Sequence, residues 1–132
     1  MFRTANTILL VLAGLLNLYP AIGVLSADQL TVLYGLPFDG ADLQVLMRHR
    51  AVMLGLIGGL MLIAAFKPAL QLLASLMGLI SMLAFIGIAW TAGDINANVD
   101  RVAVADVFGV IAVSLVILNT FLQKRDNSRI RG

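Results

Sequence analysis

The chain of 132 residues is 61% apolar and only 12% charged, with a mean hydropathy of +0.99, against about 45–50% apolar and about 25% charged in soluble domains. That composition excludes a water-soluble globular domain. Nine basic and seven acidic residues, the acids all Asp, leave a formal charge of +2, and the scattered or terminal basic residues do not form the single stripe of a nucleic-acid binder. Without cysteine there is no disulfide, thiolate nucleophile or thiolate metal site, and one histidine does not make a His-rich metal centre. No metal or other cofactor is expected.

A helix needs about 20 mostly apolar residues to cross a hydrocarbon core of about 30 Å. Four windows have that length: Thr4 to Leu25, Val45 to Phe66, Ala69 to Thr91 and Val102 to Leu122. None alternates with period two, so each is read as a helix whose backbone satisfies its own hydrogen bonds in lipid. The expected fold is all-α: a single four-helix transmembrane bundle over residues 1–132, with a short surface helix between the first two spans. The first window has one alternative, a cleaved secretory signal, because Arg3 precedes an apolar run and small residues stand near Ser26 and Ala27. Leu25, three positions before a cut after Ala27, makes the cleavage pattern poor.

In the long link that follows, Ser26 with Gln29 three residues later resembles a capping box, and Gly35 is placed to close a short helix bearing Leu30, Leu33 and Tyr34. Pro37-Phe38-Asp39-Gly40 then reads as a turn. The second span opens with Arg48-His49-Arg50, three residues that point about 100° apart and so cannot share one face. Beyond them the apolar stretch Ala51 to Phe66 has 16 residues, reaching only about 24 Å at about 1.5 Å each. Ala51, Gly55 and Gly59 recur at every fourth position, a spacing for close helix contact. Arg48 projects on about that face, whereas Arg50 lines up with Leu54, Ile57 and Met61, on the lipid side or against a different neighbour; if the small-residue face is not the interior, the two assignments exchange. Lys67-Pro68 links the second window to the third, whose own small stripe is Ala74, Gly78, Ser81 and Ala84. The next link is short and polar, Gly93 to Asp100, with Gly93 as a helix stop.

Asp106 stands about one turn inside the fourth window, where a carboxylate is costly and needs a partner or water. Arg101, five positions away, projects to a different side of the helix, so the expected partner is Arg48 or Arg50. The bland form of that pair is a clamp between the second and fourth spans. The sharper form is a binding site for an anionic or carbonyl-bearing amphiphile, with Arg48, His49, Arg50 and Asp106 as a polar collar and His49 as a proton donor or acceptor near neutral pH. Asn17, Tyr19, Pro20, Trp90 and Thr91 read first as interfacial or helix-end residues. The methionines read as adaptable packing.

No phosphate loop, nucleophile elbow or H-E-x-x-H motif occurs, and with no Glu any proton-coupled transport would fall to Asp106. The order of features, with Leu33-Tyr34-Gly35-Leu36-Pro37, then Leu46-Met47-Arg48-His49-Arg50-Ala51-Val52 opening a Gly-rich span, and Ala105-Asp106 in the last, resembles small uncharacterised bacterial four-helix membrane proteins with the layout of the DoxX-like proteins. Some look-alikes carry the label phosphopantetheine adenylyltransferase. That activity is not carried over, because it belongs to a soluble enzyme with a His-x-x-His-type phosphate motif and this chain has one His. The resemblance implies a bacterial inner-membrane location and leaves the function open.

The expected function is that of a small structural or accessory membrane component, with membrane lipids, further copies of itself or a larger membrane complex as partners, and no nucleic acid. The alternative is a binding protein or enzyme for a lipid, quinone or other amphiphile at the collar. Arg3, Lys67, Lys124, Arg125, Arg129 and Arg131 stand on the side of the termini, against Arg48, Arg50 and Arg101 on the other, so the positive-inside rule places both termini in the cytoplasm. In a chain with no native cysteine, single cysteines at Asp39 and Asp94 should react with a membrane-impermeant maleimide in spheroplasts, and one at Lys124 only after permeabilisation. The opposite labelling pattern overturns the orientation.

Overall fold

The computed structural model describes residues 2–130; Arg131, counted above toward the cytoplasmic charge, lies outside them. The first helix, α1 (Phe2–Leu18), tightens at Pro20 into a 3-10 segment, Tyr19–Val24. Proline has no N–H to continue the ladder and sits well in a first turn. Ser26 then caps α2 (Ala27–Tyr34), its side chain accepting from the Gln29 backbone N–H at 3.3 Å, and Gly35 ends it in the left-handed region at φ 67°. Both features follow the sequence reading. The next helix, α3 (Ala41–Phe66), is separated from α4 (Pro68–Ala92) by Lys67 alone. Gly93, at φ 82°, stops α4.

The last helix, α5, runs Ala97–Ile130 and so begins well before the window read from hydropathy. Its cause is local: the Asn96 side chain accepts from the backbone N–H groups of Asn98 and Val99, both at 2.9 Å, which is the work of an N-cap. The link expected to reach Asp100 is therefore only four residues, Gly93 to Asn96. Among the described residues four helical stretches, of 22, 26, 25 and 30 residues, are long and apolar enough to cross a membrane. The chain is a helical protein of the multi-pass membrane type.

Helix α1 packs on α3 and α5, and α4 packs on the same two; α3 and α5 make no extended contact with each other. The ion pair expected as a clamp between the second and fourth spans is not formed within 4 Å among the described residues, where Arg48 bonds the Val24 carbonyl and Arg50 lies over two rings. Two glycines of α3 meet the first helix and its extension: a Cβ on Gly58 would stand 2.7 Å from the Gly14 carbonyl and from the Leu18 nitrogen, and one on Gly55 would meet Ala21 at 3.1 Å. On α4, Gly78 leaves the notch that the Met61 methyl fills. Leu10, Met61, Met82, Val113 and Val116 are fully buried around these contacts.

Near the end where α1 begins and α5 finishes, a polar triad ties three helices together. Asn6 donates to Gln71 Oε1 and accepts from Asn119 Nδ2, each at 2.9 Å, and Thr7 donates to the Ala65 carbonyl at 2.8 Å. Such side-chain bonds act as interhelical glue in a medium that offers no water. Sequence reading had not singled out this triad.

Gly58 and Gly59 make a matched test of the α1–α3 contact. Gly58→Ala must push backbone atoms apart and should lower stability in detergent by about 1–3 kcal/mol, whereas Gly59, with no atom within 4 Å of its Cβ site, should accept Ala with a gain of up to about 1 kcal/mol. Thermal unfolding of the two variants decides the matter, and equal shifts would contradict the packing.

Candidate functional site

Helices α3 and α5 make no extended contact, and the end of the molecule opposite the termini is hollow. A cavity of about 680 Å³ lies there. Leu16 and Pro20 come from α1 and its 3-10 extension, Leu33 from α2, Leu54 and Ile57 from α3, and Val102 from α5, and they give it a mostly apolar wall. Ser81 and Ala84 on α4 and Ala105 on α5 also line it, and their small side chains leave space that larger ones would fill. Asn17 stands at the inner end, donating to the Ala13 carbonyl at 3.0 Å and resting on the sulfurs of Met61 and Met82 at 3.9 and 3.8 Å. Asn17, read first from the sequence as an interfacial or helix-end residue, lines the cavity.

Arg50 enters this cavity from α3. Its guanidinium carbon lies 5.1 Å from the centre of the Tyr34 ring and 4.7 Å from that of Phe85, so α2 and α4 both contribute an aromatic ring to it. Guanidinium over an aromatic ring is attracted by the ring's quadrupole. Tyr34 is itself held firmly. It is 3% exposed, meets Phe38 edge-on at 6.3 Å, and its carbonyl accepts from Asn96 Nδ2 at 2.8 Å. One asparagine thus caps α5 and anchors the α2 ring beside Arg50.

Asp106 lines the same cavity from α5, half-buried like Arg50 and within Coulombic reach of it. No ion pair joins them within 4 Å among the described residues, and Arg50 meets no hydrogen-bond acceptor there. The expected collar therefore divides. Arg50 and Asp106 share the cavity, but Arg48 and His49 are exposed and do not line it. Arg48 instead donates from Nε to the Val24 carbonyl at 2.8 Å, tying α3 to the 3-10 segment. The physical reason is the helix face: Gly55 and Gly58 meet α1 and its 3-10 extension, Gly58 taking the place expected of Gly59, where a Cβ would touch nothing; Arg48 reaches that way, and the Arg50, Leu54, Ile57 face turns inward. Arg50 thus packs against neighbours other than α1, namely the rings of Tyr34 on α2 and Phe85 on α4.

Other lining residues escaped sequence reasoning as site residues, among them Tyr34, Ser81, Phe85, Asn98 and Arg101. Phe85 falls four positions after Ser81, one turn along the face that carries the small stripe, but an apolar residue in an apolar span gives no signal of its own. Among the described residues no three His, Cys, Asp or Glu side chains gather as a metal site would require. Compared with protein-family models, curated proteins and solved structures, the chain finds no match in any of the three.

Burial pushes the Tyr34 phenol above its ordinary value of 10.0, with Arg50 opposing the rise and Asp106 adding to it. The phenol therefore reports on both charges. In a Tyr19→Phe background, Asp106→Asn should lower the pH at which the Tyr34 phenolate absorbance appears, and Arg50→Met should raise it. An unchanged titration in both variants would mean that the three groups do not face one another.

Proposed function

We propose that the protein binds one membrane amphiphile, holding an oxyanion head against Arg50 and an apolar body against the cavity wall. The observation that carries this reading is the state of Arg50. Its guanidinium carbon lies over two aromatic rings, those of Tyr34 and Phe85, and its N–H groups find no acceptor among the described residues. A guanidinium presents a rigid fork of donors that fits a carboxylate or phosphate in its own plane, and a half-buried cation without a partner is costly unless something fills that place. The cavity volume of about 680 Å³ falls within the range of about 300–1,000 Å³ usual for small-molecule sites, and an apolar lining with a few polar groups is their usual chemistry.

The setting proposed is the bacterial inner membrane, with both termini cytoplasmic and a DoxX-like layout, which puts the cavity at the outer leaflet and makes membrane lipids the nearest supply of ligand. The structural or accessory role expected from the sequence draws support from the Asn6, Gln71 and Asn119 triad, which binds the other end of the helices. It offers no reason for a half-open apolar cavity with Arg50 and Asp106 on its wall. Binding is therefore the better-supported function.

Native mass spectrometry from gentle detergent should show one co-purifying amphiphile that bears a phosphate or carboxylate. A hydrogen bond to a charged group contributes about 1.5–3 kcal/mol, so Arg50→Gln should weaken its binding about tenfold or more. Arg48→Gln should leave it in place. Equal losses in the two variants, or failure of added lysophospholipid and fatty acid to bind the wild type, would remove the basis for the reading.

A further inference from the structure

The cavity holds two half-buried charges of opposite sign that do not meet. Arg50 comes from α3 and Asp106 from α5, helices that lack extended contact, and the guanidinium lies over the rings of Tyr34 and Phe85. Each charge stands in a mostly apolar wall without a bonded partner among the described residues. An intramembrane carboxylate of this kind needs a partner, water or a ligand. A purely anionic head would satisfy Arg50 and bring a second negative charge toward Asp106. A purely cationic one would do the reverse. Arg101, the remaining charged residue on the lining, is exposed at the start of α5, where water screens it.

Resting on the reading of the cavity as an amphiphile site, we propose that its ligand is a single-chain lipid with a zwitterionic head, the oxyanion on the edge of Arg50 and a primary ammonium on Asp106. Such a head pairs each buried charge with its opposite and adds no net charge to a poorly solvated site, which is the condition under which buried charges are tolerated. The volume suits one chain: about 680 Å³ is in the range for one drug-sized molecule. An ammonium also has three N–H donors, enough to bond Asp106 and a neighbouring side chain such as Asn98 or Ser81, which line the same space.

The test uses the full chain in detergent with two probes differing only at nitrogen: palmitoyl lysophosphatidylethanolamine and its N-acetylated derivative, which keeps the phosphate and chain but loses the ammonium. Competition followed by native mass spectrometry should show the ethanolamine lipid binding about tenfold or more tightly than the derivative, the usual size for one charge-assisted bond. Palmitate, an oxyanion without an ammonium, should also rank below it. Asp106→Asn should abolish the preference while the derivative binds as before. If the derivative or palmitate binds wild-type protein as tightly as the ethanolamine lipid, or if Asp106→Asn keeps the preference, the zwitterion is overturned and amphiphile binding stands. If none of the three probes binds the wild type, the cavity reading falls with it. The wild-type comparison needs no substitution, so it decides even where Asp106→Asn fails to fold.

Discussion

The separation of α3 and α5 is the constraint on which the rest depends. Helix α1 and helix α4 each pack on both of them, and α3 and α5 make no extended contact with each other. Small residues set how near each neighbour comes. Gly58 lies against the backbone of Gly14 and Leu18, so α3 is drawn to α1, while the Gly78 notch seats Met61 and joins α3 to α4. Without a hydrophobic force between helices in lipid, such close contacts and a few side-chain hydrogen bonds decide the arrangement. The space left between α3 and α5 is the cavity.

The two ends of the molecule use polar residues in opposite ways. At the end of the termini, neutral amides pair with one another: Asn6 links Gln71 and Asn119, and three helices close. At the other end, charged groups stay apart, because Arg50 is held by ring faces instead of by a carboxylate. Cation–π attraction is gained without using the guanidinium's N–H donors. The side chain is therefore placed before any ligand arrives and still has its directional bonds to offer, the kind of preorganisation that lowers the entropic cost of binding.

The short helix α2 is part of this device. Its cap at Ser26, its glycine end at Gly35 and the cluster of Leu30, Tyr34 and Phe38 fix it against the 3-10 segment and α5. Asn96 contributes twice, capping α5 and bonding the Tyr34 carbonyl. The ring over Arg50 is thus tied to the start of the helix that carries Asp106. Any shift of α2 would move the wall of the cavity and the surroundings of both charges together.

What was legible in the sequence was whatever depends on neighbours along the chain. Run length and polarity marked four helices, Ser26 and Gln29 marked a cap, Gly35 and Gly93 marked stops, and Asp106 was conspicuous as a carboxylate in a greasy segment. Helical periodicity also separated Arg48 from Arg50 onto different faces. It could not say which face looked inward, because both faces of α3 are apolar and the answer lies in which neighbour the glycines meet. Nor could it find Phe85, or the partnership of Asn6 with Gln71 and Asn119, residues that gain meaning only from helices distant in sequence. The elements were decided locally by hydrogen bonding and hydropathy; the site was decided by packing, since a cavity belongs to the gap between helices and to no single segment of the chain.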